Sequence, residues 1–164
     1  MLILALIIAI TFATGAILGA PYLPVLKAEH EALLDMCQLQ VGDTLLDLGS
    51  GDGRLLKAAA KRGYRCIGYE INPFLYLISR LLTWPERDLV TIHLGDYWHI
   101  KLPQADAIYV FLIDRYMTRL HTKLETELSK PTVVVSYVFA IPAKKPDLIT
   151  RNAFRYHYPA AIGK

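Results

Sequence analysis

Apolar and polar positions divide the 164-residue chain into three regimes. Residues 2–20 (LILALIIAITFATGAILGA) are uncharged throughout, and the first charged side chain is Lys27. Residues 25–38 then place Leu26, Leu33, Leu34 and Cys37 at helical spacing, which predicts a short amphipathic helix. From residue 44 onward strand-like and helix-like segments alternate. They run TLLDL (44–48), RLLKAAAKR (54–62), RCIGYE (65–70), PFLYLISRLL (73–82), LVTIHL (89–94), AIYVFLI (107–113), RYMTRLHTKLETELS (115–129) and TVVVSYVF (132–139). This order predicts an α/β fold, a parallel sheet of buried strands with helices on both faces and right-handed crossovers. After Phe139 the prolines at 142, 146 and 159 leave room for one further strand near Phe154–Tyr158, so the sheet is expected to be small or truncated at that edge.

The first regime has a length argument. Nineteen helical residues reach about 28 Å, close to the hydrocarbon thickness of a bilayer. A cleaved secretory signal fits less well, because no Lys or Arg precedes the run and Pro21 follows its best small-residue site. A domain of this size also has no interior for a helix apolar on every face. The expected organisation is a transmembrane anchor (1–20), a pre-domain segment (21–40) opened by Pro21-Tyr22-Leu23-Pro24, and one catalytic or binding domain (41–164). Because the positive residues all follow the run, the body is expected on the cytoplasmic side, in contact with the lipid bilayer through the N-terminal helix.

Composition narrows the chemistry. Apolar residues make up 54% and charged residues 20%, which excludes a disordered chain. The net charge of +3 comes without a basic block longer than two residues, so no nucleic-acid partner is expected. Cys37 and Cys66 lie far apart with no ligand spacing, and the five histidines are scattered, so neither a disulfide framework nor a metal site is expected.

The most informative stretch is Asp47-Leu48-Gly49-Ser50-Gly51-Asp52-Gly53, where the first strand gives way to a helix. Open α/β sheets bind ligands at that carboxyl edge. Gly49, Gly51 and Gly53 let the backbone come close to a ligand, with Ser50 between them. Glu70, ending the second strand nineteen residues after Gly51, can take both hydroxyls of a ribose. Asp96, followed by Tyr97 and Trp98, suits an adenine: a carboxylate for the exocyclic amine and an aromatic flank. Two acids beside the turn would repel a pyrophosphate and attract a sulfonium and an ammonium, so S-adenosylmethionine is favoured over a nicotinamide dinucleotide. Asp52 can alternatively cap the following helix, and Asp47 can grip the loop's own N–H groups.

With DLGSGDGR, GYEINP and GDYW in this order, the chain resembles the seven-strand S-adenosylmethionine-dependent methyltransferases. More narrowly, it is similar to the membrane-anchored protein-lysine methyltransferases whose mitochondrial members modify the ATP synthase c subunit and the adenine nucleotide translocase. The hydrophobic run, the Pro21-Tyr22-Leu23-Pro24 element and Glu70-Ile71-Asn72-Pro73 carry that narrower resemblance. It implies a Rossmann-like class I methyltransferase sheet and methylation of lysine on a membrane protein, in the inner mitochondrial membrane where the host is eukaryotic. It further implies donor contacts at Asp47, Gly49, Gly51, Glu70, Ile71, Asn72 and Asp96, with a role for the pre-domain element in activity. Where the family has a Gly-Val-Pro-Gln type stretch after the fourth strand, this chain reads Leu112-Ile113-Asp114-Arg115.

A lysine acceptor with a pKa of about 10.4 is mostly protonated at neutral pH, and exposing its lone pair costs about 4–5 kcal/mol. Asp114 would raise that pKa by attraction, yet can orient the amine and receive its proton; the alternative is an ion pair with Arg115 or Arg119. Tyr22, Tyr116 and Tyr137 are candidates for an acceptor channel, or for packing and interfacial anchoring. Two other functions fit the same donor residues: methylation of a quinone or lipid, and non-catalytic nucleotide binding at a membrane.

Overall fold

The computed structural model describes residues 27–142 and 144–161. The apolar run 2–20 and Tyr22 lie outside the described residues. Among the described residues no helix is long and apolar enough to cross a membrane.

The described chain opens with α1 (Lys27–Met36), followed by β1 (Thr44–Leu48), α2 (Arg54–Lys61), β2 (Arg65–Glu70), α3 (Pro73–Leu82) and β3 (Val90–Leu94). It continues with β4 (Ala107–Val110), α4 (Met117–Glu127), β5 (Thr132–Tyr137), β6 (Leu148–Ile149) and β7 (Ala153–Tyr158). Strand order is β3-β2-β1-β4-β5-β7-β6. The first five strands are mutually parallel, and β7 runs antiparallel to β5 and to β6.

Each strand exposes alternate residues to opposite faces, and the two faces have separate cores. On one face Leu45, Cys66, Ala107, Tyr109 and Val135 pack under Leu33 and Leu34 of α1, Cys37 just after it, and Leu55, Leu56 and Ala59 of α2. On the other, Leu46, Leu48, Ile108, Val110 and Val134 pack against Met117, Leu120 and Leu124 of α4, closed by Tyr156 and Tyr158. By this alternation Asp47 lies on the same face as Leu45, beneath α1 and α2.

The expected single strand after Phe139 is corrected to two, giving a seven-stranded sheet. The extra strand, β6, is a two-residue segment paired to β7, too short for periodicity to register. β4 stops at Val110, short of the expected Ile113, because its β1 ladder ends at the Leu48–Val110 pair, where Gly49 turns away. β5 stops at Tyr137 because Val138 takes a left-handed φ of 68° and Phe139 N–H bonds back to Tyr137 C=O at 2.9 Å.

The pre-domain helix is built into this body. Arg62 of the α2 C-cap donates to Asp35 at 2.7 Å and, through Nε, to Glu31 at 3.0 Å, tying α1 to α2. Glu29 accepts from Asn152 Nδ2 at 2.7 Å and from the Tyr137 hydroxyl, tying α1 to the ends of β5 and β7.

At Gly68 of β2 both α2 and the glycine loop lie close against the sheet. A Cβ there would meet Leu56 Cδ1 at 2.6 Å and Ser50 Oγ at 2.9 Å, both belonging to buried residues. Gly68→Ala is expected to destabilise the fold by about 1–3 kcal/mol through overpacking, read as a lower midpoint in urea unfolding. An unchanged midpoint would mean that the α2–β2 contact is looser than this.

Candidate functional site

The turn after β1 takes its shape from three glycines with left-handed backbone, of which two show why no other residue serves. Gly49 (φ 102°) has nothing within 4 Å of where a Cβ would stand, so its backbone borders open space. Gly53 (φ 81°) would place a Cβ 3.0 Å from Ser79 Cβ of α3, so the loop needs a residue without one to lie on that helix. Backbone bonds from Gly49 and Ser50 N–H to Tyr69 C=O, at 3.0 and 2.9 Å, seat the turn over β2. Ser50 is buried and its hydroxyl has no hydrogen-bond partner.

Glu70 holds this arrangement together. One carboxylate oxygen accepts from Gly51 N–H at 2.7 Å and the other from Asn72 N–H at 2.8 Å. Burial raises its pKa, opposed by the hydrogen bonds from the backbone of Asn72, Gly51 and Ile71. Asn72 in turn caps α3, accepting from Phe74 and Leu75 N–H at 2.9 and 3.2 Å, with Pro73 at the first helical position. Ile71 stands exposed beside it, and Leu94 is exposed at the end of β3.

Asp47 lies behind the turn, buried, with Oδ1 lacking any hydrogen-bond partner. Burial first, then the charges of Glu70 and Asp52, push its pKa up to about 8. In this arrangement the carboxyl keeps its proton at neutral pH. The grip on the loop's own N–H groups, open to Asp47 by sequence, is supplied instead by Glu70. Asp52 accepts from Arg54 N–H at 3.3 Å and pairs with Arg54 Nε at 2.6 Å, while Gly53 occupies the capping position of α2.

After β3, Asp96 opens a short 3-10 turn, Tyr97–His99, accepting from Trp98 N–H at 2.9 Å and meeting His99 Nδ1 at 2.9 Å. Each carboxylate oxygen has two lone pairs, so these bonds leave Asp96 able to accept from a ligand amine. Tyr97 is buried and its ring lies 4.8 Å from Trp98. Trp98 reaches across to the segment after β4: Tyr116 is 6.1 Å from it and the Arg119 guanidinium stacks 4.2 Å over its ring. Asp114 is exposed at the head of the 3-10 turn Asp114–Tyr116 that follows β4. Arg115 and Arg119 both lie over aromatic rings, Arg115 at 4.7 Å from Tyr116.

The structure therefore gathers Asp47, Gly49, Ser50, Gly51, Gly53, Glu70, Ile71, Asn72, Asp96 and Tyr97 along the carboxyl edge of β1 to β3, with Asp114 on the neighbouring turn after β4. Sequence reasoning missed Tyr109. Its register partner across the β1–β4 ladder is Asp47, its hydroxyl is buried without a partner, and burial followed by the charge of Asp47 holds its pKa well above the ordinary value. The adjacency of β1 and β4 was its only available signal. Tyr137, an acceptor-channel candidate, is half-buried against Phe111, edge-on at 5.0 Å, and donates to Glu29. Among the described residues no group of three or more His, Cys, Asp and Glu could hold a metal ion, and Cys37 and Cys66 are free and buried.

Comparison with known proteins agrees with this geometry. A family model described as the ANTKMT methyltransferase domain matches residues 47–148. A human lysine N-methyltransferase named for the ATP synthase c subunit is 34% identical over 132 residues, 79% of this chain and 56% of that protein. The chain thus spans about half the length of the ATP synthase relatives it matches. A protein-lysine N-methyltransferase of Saccharolobus islandicus is 32% identical over 137 residues, covering 80% of this chain and 84% of that one. Among solved structures, an RNA methyltransferase of Salinibacter ruber in complex with S-adenosyl-L-homocysteine superposes with a TM-score of 0.79 at 30% identity, covering 87% and 97% of the two chains. A turn of three glycines tied by a strand-end glutamate, on a seven-stranded sheet of this order, and these matches together make the chain a member of the ANTKMT methyltransferase-domain family.

Proposed function

We propose that this chain is an S-adenosylmethionine-dependent methyltransferase that methylates lysine side chains of a membrane-associated protein. The observation that carries the donor assignment is the pair of buried acids behind an open glycine turn: Glu70 bound to the turn, and Asp47 with an unpartnered oxygen. A cationic ligand relieves that arrangement and an anionic pyrophosphate aggravates it. The open space at Gly49 and the exposed Ile71 and Leu94 fit a flat adenosyl group between the strand ends.

When bound, S-adenosylmethionine supplies a methyl group on a positively charged sulfur. Glu70 takes the ribose hydroxyls, Asp96 the adenine amine against Tyr97 and Ile71, and Asp47 the positive charge of the amino-acid portion. On the acceptor side Asp114 orients the lysine amine and receives its proton, and Tyr22 of the pre-domain element contributes to activity. The protein's task in such a displacement is alignment and exclusion of water, so no enzyme nucleophile is needed.

The acceptor class is supported by the lysine methyltransferases among the relatives, one named for the ATP synthase c subunit and one for the adenine nucleotide translocase. The uncharged run at 2–20 anchors the chain in a bilayer with the domain on the cytoplasmic side, which raises the effective concentration of membrane substrates.

Purified full-length protein given S-adenosylmethionine with a radiolabelled methyl group and a membrane extract is expected to label protein, with the label recovered as methyllysine on hydrolysis. Label confined to RNA or to the organic-soluble fraction would overturn the acceptor assignment. Glu70→Ala and Gly49→Val are each expected to weaken donor binding at least tenfold; wild-type affinity in both would remove the glycine turn from the site.

Asp47 adds a pH signature. Its folded pKa lies above the unfolded value, so between about pH 4 and pH 8 the folded state holds a proton that the unfolded state has lost, and stability falls as pH rises. At its steepest the slope is on the order of 1 kcal/mol per pH unit. Urea unfolding of Asp47→Asn across this range is expected to show a flatter profile than the wild type. Donor binding at pH 7 is expected to release a proton from Asp47, read by calorimetry in buffers of different ionisation heat; equal heats would assign Asp47 a purely structural role.

A further inference from the structure

The outward face of α3 departs from the other helices among the described residues. Its exposed side chains are Pro73, Phe74, Leu77, Arg80 and Leu81, and the stripe continues through exposed Trp84. Leu77, Leu81 and Trp84 are 59%, 76% and 57% exposed. Positions 74, 77 and 81 share one side of the helix. By contrast, the solvent side of α2 carries Arg54 and Lys61, that of α1 carries Glu31 and Asp35, and that of α4 carries Arg119 and Glu125. Scattered apolar residues need no explanation on a surface; a contiguous stripe covering a whole helix face does.

The charges at the stripe are basic on the helix itself. Arg80 is the only charged residue of α3, and no acid occurs between Pro73 and Trp84. Arg80 donates to Tyr76 OH at 3.1 Å, and Arg87 stacks 5.2 Å from the Trp84 ring centre. Both guanidiniums border a groove of about 340 Å³ beside the edge strand β3, with Thr83, Trp84, Asp88 and Thr91. Asp88 lines this groove and half-buried Glu86 ends the turn that Trp84 opens, so the two guanidiniums meet two acids here. Lys57 adds a third cation at the helix end, donating to Leu82 C=O at 2.8 Å.

Apolar side chains flanked by an interfacial tryptophan and by arginines that can take phosphate are the features of a surface that lies in the headgroup layer of a bilayer. We propose that the α3 face, Phe74 to Trp84 with Arg80 and Arg87, is a second membrane contact that docks on anionic phospholipid. The 26 residues preceding α1 carry no charged side chain, which places the same chain at a bilayer by a separate argument. Because α3 is capped by Asn72, in the donor site, and runs about 15 Å along the sheet, docking it flat sets the carboxyl edge of the sheet beside the membrane surface. The docking itself needs no methyl donor, so it can fail while the methyltransferase reading stands.

The chain has two tryptophans, so Trp84 can be read by subtracting the Trp84→Phe spectrum from the wild type. Full-length protein is reconstituted without donor into vesicles of phosphatidylcholine alone, or mixed with phosphatidylglycerol, each with bromines in the upper acyl chain. In the anionic vesicles the Trp84 signal is expected to shift to the blue and to be quenched at least threefold more than in phosphatidylcholine. Arg80→Glu combined with Arg87→Glu, at two exposed positions, is expected to return quenching to the phosphatidylcholine level. Unshifted, unquenched emission in both compositions would overturn the proposal. So would a blue shift without quenching, which means a protein covers the stripe, or equal quenching in both vesicles, which removes the anionic headgroup.

Discussion

Glu70 is the constraint on which the site depends. One carboxylate, buried at the end of β2, accepts from the loop after β1 and from the first residue before α3. It fixes the turn and the start of the next helix with a single side chain, leaving the remaining lone pairs toward the cleft. The cost falls on its neighbour. Asp47, buried within reach of the same charge, cannot also ionise cheaply, and it holds its proton. A site of two buried acids in which one is neutral is poised for a cation, since an arriving positive charge makes the second ionisation favourable.

That coupling refines what the sequence conveys. Two acids around a glycine turn argue for a positively charged ligand, and the geometry agrees on the ligand. The simple picture of two standing negative charges does not survive, because burial decides ionisation and burial is a property of the packed face beneath α1 and α2. The division of roles follows the same logic. By sequence the loop grip is open to Asp47; Glu70 makes it because it ends β2 opposite Gly51, while Asp47 lies on the sheet's covered face.

The parallel strands were legible because each is a short segment with an apolar centre between turn residues, and β1, β2 and α3 begin and end where the pattern says. What escaped the pattern is set by non-local pairing. β4 and β5 end early because their ladders lose a partner or their backbone turns, although Leu112 and Ile113 keep the apolar run going. Tyr109 belongs beside Asp47 only once the β1–β4 register is known. Glu29 meets Tyr137 and Asn152 across sequence separations of 108 and 123 residues, which no local spacing announces.

The Glu29 contacts also settle which end of α1 points toward the chemistry. Tyr137 is the last residue of β5 and Asn152 immediately precedes β7, so both stand at the carboxyl edge of the parallel sheet, the edge that carries the glycine turn. The first turn of α1 is therefore held at that edge, while Asp35, a turn and a half later, is held by Arg62 at the far end of α2. α1 thus bridges the ends of β5 and β7 to the C-cap of α2, with Met36 at its other end meeting the Thr150 hydroxyl before β7, and its first turn is joined through Tyr137 and Phe111 to the segment that leads into Asp114. The first turn of α1 and the turn that begins at Asp114 therefore stand at one edge of the sheet.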